Sequence, residues 1–429
     1  MDMIKQGIEA GNKIAELLAD QDVADFGASL IKISGKVTKY LEAFSPVLGL
    51  FQMLLPDDQS NEIEEGFARM DAKFDQLFNR IDDLGDEQQK ISLKTQFGAY
   101  EKKITLFSKR LDDYLKSKGK SENIFMETYD NKTFDENVRQ LYMAMIKPAS
   151  GPLSDSIPAL VREFTNENRK DTEMVMKRIL HLIIQGAAIE MAYYSLTDDE
   201  ERYNKTKHDW EEKIFKLIDH IREIDEDMRY NYMDQVKEDI SVLSAKMYGR
   251  SNKDFADTLY KFLSQKYEWR KWVVVVFNAD VPNKIRLAQN AIQQTPHGRN
   301  VIVASSSKDR EPDISNTKRL LKGVPSGYRW SEHVGWWERA WHFTYYDANQ
   351  LFNKIPGSIL GSSDYTVGVV RKYRSDLAIS GAADRYALVS KQNYMYETTS
   401  DNLRAEDVRF WMFAIFTDKE VKPVRDDET

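Results

Sequence analysis

Leu182-Ile183-Ile184-Gln185-Gly186-Ala187-Ala188-Ile189-Glu190-Met191-Ala192-Tyr193-Tyr194-Ser195-Leu196 is the stretch whose reading decides the fold. Only Gln185, Glu190 and Ser195 interrupt its apolar character strongly. A helix that is apolar on nearly every face belongs at the centre of a bundle, where neighbours cover all sides. No proline falls between Ala159 and Val281. Proline inside a helix costs about 3 kcal/mol, so its absence permits long helices here. The spacing predicts this central helix over residues 172–196.

Working outward, the following segment is amphipathic. Trp210, Ile214, Leu217, Ile218, Ile221, Ile224, Met228, Val236, Ile240 and Leu243 predict one long helix over about 200–247. Upstream, helices are expected over 157–166 and 135–146, the latter ended by Pro148, with a loop through Ala149-Ser150-Gly151-Pro152. Ile63, Phe67, Met70, Phe74, Leu77, Ile81 and Leu84 follow a 4-3-4-3 spacing, which is a heptad seam for a bundle or a partner helix. The pattern continues loosely through Ile91, Ile104, Phe107, Leu111 and Leu115. Two helices open the chain, over about 3–19 and 22–55, and Val23, Phe26, Leu30, Ile33, Val37, Leu41 and Phe44 mark the apolar stripe of the second. Lys32, Lys36 and Lys39 lie on its other faces, and Gly27, Gly35 and Gly49 weaken it.

Gly249 begins a different region. After a short helix over about 253–266, Trp272-Val273-Val274-Val275-Val276-Phe277 reads as a fully buried strand. A helix is expected over 284–293 and a second strand over 300–304, as a βαβ unit or a looser α+β arrangement. Further strands are expected at 341–346, 365–370, 386–390 and 410–416. The fold class is therefore mainly α: a multi-helix bundle over 1–248, then a smaller Trp-rich α+β domain over 249–429. Charge marks the same division. Residues 1–250 carry 35 basic and 47 acidic side chains, and residues 251–429 carry 26 and 22. An acidic bundle disfavours nucleic acid as a partner, whereas the basic run 266–329 suits an anionic surface.

Mean hydropathy is −0.58, and no run of 18 apolar residues is present. No basic stretch leading into an apolar core opens the chain at Met1–Lys5, so no signal peptide is read there. The absence of cysteine excludes disulfides, thiolate zinc sites and thiol nucleophiles. No phosphate-binding loop, dinucleotide fingerprint, nucleophile elbow or zinc-protease helix occurs. No cofactor, metal site or catalytic residue is assigned, and the reading is of a non-enzyme.

The concentrated feature is aromatic. Tyr328, Trp330, Trp336, Trp337, Trp341, Phe343, Tyr345 and Tyr346 fall within one 19-residue span. The alternation of Trp341, Phe343 and Tyr345 predicts a buried strand face. Trp336 and Trp337 are adjacent beside Gly335, so one ring is expected to face outward. Tyr328, Trp330, Trp336 and Trp337 are the candidates for recognising membrane lipid or surface glycan, because Trp and Tyr combine an apolar body with a polar tip.

Three features carry a family resemblance: Ala43-Phe44-Ser45-Pro46-Val47-Leu48-Gly49-Leu50-Phe51, the helix with Phe67, Met70, Asp71, Phe74, Asp75, Leu77 and Phe78, and the strand from Trp269 to Asn278. Over roughly residues 20–310 this layout resembles the cephalotoxin-like and rapunzel-related proteins of animals. It is similar, more distantly, to the box-jellyfish pore-forming toxins and their crystal-toxin-like helical bundle. The resemblance implies a secreted, helical, pore-forming-toxin-like protein that binds membranes and assembles there as a homo-oligomer. Insertion would fall to the stripe from Val23 to Phe44. The other class compatible with the residues is a soluble interaction or scaffold protein whose bundle never inserts.

Overall fold

The computed structural model describes residues 2–19, 26–42, 87–116, 122–131, 134–147, 156–197, 199–333, 336, 339–372, 377–399 and 402–418. The heptad segment 63–84, and Val23 and Phe44 of the N-terminal stripe, lie outside these residues. The chain divides into two compact units, Met1–Arg229 and Tyr230–Thr429.

The first unit is helical: α1 (Asp2–Ala19), α2 (Phe26–Glu42), α3 (Glu87–Lys116), α4 (Glu122–Asn131), α5 (Phe134–Ile146), α6 (Ile157–Phe164), α7 (Arg169–Leu196) and α8 (Glu200–Tyr230). Helix α7 is the central helix of the sequence reading. Asn166 and Glu167 take left-handed backbone at φ 50° and 54°, which reverses the chain after α6. The Asn168 side chain then accepts the Asp171 N–H and caps the new helix. Leu182, Ile183, Ile184, Ala187, Ile189 and Met191 are all buried, in one continuous core with α1, α2, α3, α5 and α8. A Cβ on Gly186 would sit 2.6 Å from a methyl of Val138, so glycine sets how closely α5 approaches α7.

The buried charges Arg169, Arg178 and Glu190 of α7 all meet partners. Glu190 is fully buried, and it accepts the Arg139 guanidinium of α5 at 2.6 Å and the Trp210 Nε1–H of α8 at 2.8 Å. Arg169 grips Asp225 of α8 with two bonds of 2.7 and 3.0 Å and also reaches Glu173 at 3.0 Å. Arg178 pairs with Glu101 of α3 at 2.9 Å, and Gln185 donates to Ser108 of the same helix. The charged bonds to α3, α5 and α8 fix the register of α7 against those neighbours, because a buried charge without its partner is strongly unfavourable.

The second unit starts earlier than the composition shift suggests. The expected single helix over 200–247 breaks at Asn231, and α9 (Tyr232–Lys246) resumes the helix in the second unit. The reason is packing: Tyr232, Val236 and Ile240 share a core with Phe255, Leu259 and Leu263 of α10 (Asn252–Lys266). The buried pair Lys266–Asp239, with Tyr267 Oη donating to the same carboxylate at 2.6 Å, locks α9 to α10. The first compact unit thus ends one helix before the boundary expected at 248/249.

After these helices come β1 (Arg270–Asn278), β2 (Asn283–Arg286), β3 (Ala291–Gln294), β4 (Arg299–Ser307), α11 (Ile314–Gly323), β5 (Gly327–His333), β6 (Arg339–Tyr345), α12 (Ala348–Asn353), α13 (Gly357–Leu360), β7 (Tyr365–Lys372), β8 (Ala378–Gly381), β9 (Tyr386–Thr399) and β10 (Asn402–Phe416). One sheet runs β3-β4-β1-β8 and a second runs β2-β7-β10-β9, all antiparallel. Four layers result. Helices α9 and α10 cover Trp272, Val274 and Val276, while Val273, Val275 and Phe277 meet Phe413 and Ile415 of the second sheet. The far side of that sheet is covered by Leu321, Leu351, Phe352 and Ile359 of α11, α12 and α13. Strand β1 is buried on both faces, which is why its valine run does not alternate with polar residues.

Strands β1 and β4 pair antiparallel, so of the two expected arrangements the looser α+β one is present. One expectation is overturned. The helix expected over 284–293 is instead β2 and β3. Strand β2 pairs with β7 and β3 with β4, so the segment crosses between sheets, and left-handed Asn290 (φ 54°) sits at the crossing. Sheet pairing overrides the weak helical spacing of Ile285, Leu287 and Ile292.

Candidate functional site

Strands β5 and β6 form a sheet of their own, a two-stranded ribbon in register from Gly327↔Tyr345 to His333↔Arg339. The base is fixed: Tyr346 N–H donates to the Ser326 carbonyl at 3.0 Å, the Tyr328 and Tyr346 rings lie 5.8 Å apart, and Lys354 sits over Tyr346. The strand is stopped at Asp347, whose side chain and Gln350 build a capping box on α12. Away from the base the ribbon is open. Tyr328 is 48% exposed, Trp330 39%, Trp341 57% and Trp336, in the turn, 93%.

Register explains the display. Trp330 stands on one face, where its Nε1–H donates to Thr344 Oγ1 at 2.9 Å, so the polar tip is satisfied within the ribbon and the ring edge is left outward. Trp341 stands on the opposite face, with the Arg329 guanidinium 4.1 Å from its ring centre. The expectation that Trp341 lies on a buried strand face is therefore wrong. Alternation buries one face only when a second layer covers it, and Trp341 stays more than half exposed on a sheet of only two strands. Of the candidate residues, Tyr328, Trp330 and Trp336 are brought together on the ribbon and its turn. The side chains of Trp337 and Phe343 lie outside the described set.

Charge is distributed differently from the expectation of a basic surface over 266–329. Lys266, Arg270, Lys271 and Arg310 are in ion pairs with Asp239, Asp418, Asp384 and Asp364. Arg286 donates to the carbonyls of Ser362 and Tyr365 at 2.7 and 2.8 Å. Much of the basic excess thus holds the domain together. Lys318, Arg319 and Lys322 of α11, immediately before the ribbon in the chain, remain exposed.

The N-terminal candidates are placed otherwise. Phe26, Leu30, Ile33, Val37 and Leu41 of α2 are all buried in the bundle core. Lys177 of α7 lies over the Phe26 ring at 5.1 Å, and the Lys207–Glu42 pair at 2.9 Å ties the end of α2 to α8. Lys32 and Lys39 are exposed and Lys36 half-buried. Helix α7 is the one described helix long and apolar enough to cross a membrane by length and composition, and 78% of that window is buried. Core helices of soluble bundles satisfy the same criterion. Among the described residues, no group of three or more His, Asp or Glu side chains is placed to hold a metal ion.

Residues 55–249 match the family model of the cephalotoxin-like middle helical domain. This is the family that the sequence resemblance indicates, and the match ends where the composition shifts, one helix beyond the first compact unit. Comparison with curated proteins found no match, and comparison with solved structures found none.

Proposed function

We propose that this chain, whose residues 55–249 match the cephalotoxin-like middle helical domain, is a non-enzymatic, toxin-like protein that binds and perturbs membranes. The observation that carries the reading is the open ribbon with Trp330, Trp341 and Trp336 exposed on two faces and a turn. Rigid strands present the rings, so contact with lipid headgroups or glycan costs little ordering. Interfacial Trp and Tyr favour that zone of a bilayer. Lys318, Arg319 and Lys322 add attraction to an anionic leaflet, at about 1 kcal/mol per basic residue near the surface.

Insertion is the second step of the proposal and belongs to α2. Its buried stripe would have to leave the core, and Lys32, Lys36 and Lys39 would be tolerated only around a wet lumen built from several copies. The test separates the steps. Trp336→Ala with Trp341→Ala should lower binding to liposomes. A disulfide engineered between α2 and a bundle neighbour should leave binding intact and block dye leakage until reduced. Wild-type protein that neither binds nor permeabilises liposomes or native cell membranes would sink the proposal. A specific observation favours the second reading, a scaffold that stays closed: the α2 stripe shares one core with α7, secured by the Glu190 and Arg169 bonds. Binding without leakage under any condition would select it.

A further inference from the structure

A cleft of about 750 Å³ opens in the second unit, away from the ribbon in sequence, where three segments meet: the approach to α10, the end of β1 and the turn before β4. That volume is within the range of sites that hold small organic molecules. Arg250, Asn252, Lys253, His297 and Arg299 line it, and Asp280 is the one carboxylate among its lining residues.

Arg299 is the informative residue. It is nine-tenths buried, its guanidinium lies 5.1 Å over the Phe255 ring, and Nη2 donates to the Arg250 carbonyl. Nη1 finds no acceptor, and no carboxylate pairs with this cation among the described residues. The other two buried arginines of the unit each meet a carboxylate, Arg270 that of Asp418 and Arg385 that of Asp384. A buried guanidinium whose charge is not met by an acid is the arrangement expected where an anion belongs.

A second, independent feature points into the same space. Helix α10 has 15 residues and starts at the cleft, capped by Ser251, whose side chain accepts the Asp254 N–H at 3.1 Å. The N–H groups of Asn252 and Lys253, in the first turn, have no acceptor within the helix, and the helix dipole favours negative charge there. The Asn252 side chain is held by Asn278 at 2.9 Å, which fixes the wall. Arg250 and His297 are exposed at the mouth, and Lys253 is partly committed to Asp257 at 2.5 Å.

We infer that this cleft binds a phosphate monoester, with the anion seated between Arg299, Arg250 and the N-terminus of α10 and its organic group filling the remaining volume. Donors arrive from three directions, which suits the three terminal oxygens of a phosphate better than the two of a carboxylate. Asp280 disfavours a second negative group close by, so a monoester is expected over a pyrophosphate. The shared chemistry is present both in a soluble phosphate ester and in a phosphatidic acid headgroup.

The test uses the full chain. Glycerol 1-phosphate is titrated by calorimetry and by thermal shift, and flotation compares phosphatidylcholine vesicles with and without phosphatidic acid. Expected is saturable binding of glycerol 1-phosphate that Arg250→Gln, an exposed and structurally neutral change, weakens about tenfold. Arg299→Lys, which keeps charge but loses the fork, should do the same. Binding to phosphatidic acid vesicles that both variants weaken and glycerol 1-phosphate competes away assigns the headgroup; soluble binding alone assigns a free ester. Absence of saturable glycerol 1-phosphate binding, or binding unchanged in both variants, overturns the site. Trp336→Ala should leave phosphate binding unaltered, so failure here is distinguishable from failure of the ribbon as a membrane contact.

Discussion

Helix α7 and the β5–β6 ribbon are both rich in large apolar side chains, yet Leu182, Ile183 and Ile189 are sealed from solvent while Trp336 and Trp341 are 93% and 57% exposed. The difference is the number of neighbours. Helix α7 is packed by α1, α2, α3, α5 and α6 and is bonded to α8. The ribbon is two strands in a sheet of their own, and among the described residues its Trp330, Trp336 and Trp341 rings stay exposed. Composition alone does not say which will happen, because a segment is buried by what the rest of the chain brings to it.

The largest effect should come from asking α7 to carry a charge. Ala187→Asp places an unpaired carboxylate at a site with no exposure and should cost about 3–5 kcal/mol, seen as loss of cooperative helical melting. A soluble variant with unchanged Tm would show that α7 is peripheral, and the contrast with the ribbon would fall. Arg139→Met should be comparably damaging at neutral pH, about 3 kcal/mol or more, since it strands Glu190. Burial already pushes the Glu190 carboxyl above its ordinary range. Without Arg139 it should take up a proton more readily still, so acidification should restore part of the lost Tm, and Arg139→Met with Glu190→Gln should restore more.

Smaller effects should appear in the pH profile of the bundle. Burial, and then the charge of Arg178, hold His181 of α7 well below its ordinary 6.5. The unfolded chain binds that proton below pH 6.5 and the folded one does not, so stability falls as pH drops through 6.5 and below. Glu173 has the opposite sign: burial raises it from 4.5 to about 7, so the folded state binds the extra proton between those values and gains stability as pH falls from 7 to 4.5. Tm measured against pH should show His181→Phe flattening the acid loss and Glu173→Gln removing the opposing gain. Unchanged profiles in both variants would mean that neither group is as enclosed as the packing implies.

The smallest effect on stability is expected at the ribbon. Trp336→Ala should move Tm by less than about 0.5 kcal/mol equivalent, because the ring is outside any core. The same variant should lower liposome binding. A large stability loss from Trp336→Ala would erase the distinction between the two regions.

What could be read from sequence follows the same logic of neighbours. Helix α7 and strand β1 were legible because their residues are apolar in every direction, so burial does not depend on orientation. The start of α9 was not, since Tyr232, Val236 and Ile240 look like a continuation of the α8 stripe, and only their contact with Phe255 and Leu259 assigns them to the second unit. Trp341 was misread because alternation shows two faces without showing whether either is covered. That one ring of Trp336 and Trp337 faces outward was legible from their adjacency beside Gly335, though which one was not, and Trp336 is exposed. The cleft around Arg299 was out of reach, as its lining comes from residues 248–253, 278–280, 297–299 and 377–378, which no local pattern connects.

The position of α7 in the chain has a consequence for biosynthesis. Its covering residues Trp210 and Asp225 are translated after it, so the helix leaves the ribosome before its enclosure is complete. At roughly 5–20 residues per second, the segment through Tyr230 takes about 2–7 s to make. During that interval the nascent chain shows an apolar helix long enough to interest targeting factors and chaperones. Slow codons placed across 197–230 should therefore lower soluble yield, while the same codons placed after residue 250 should not; equal yields would show that α7 needs no help before α8 arrives.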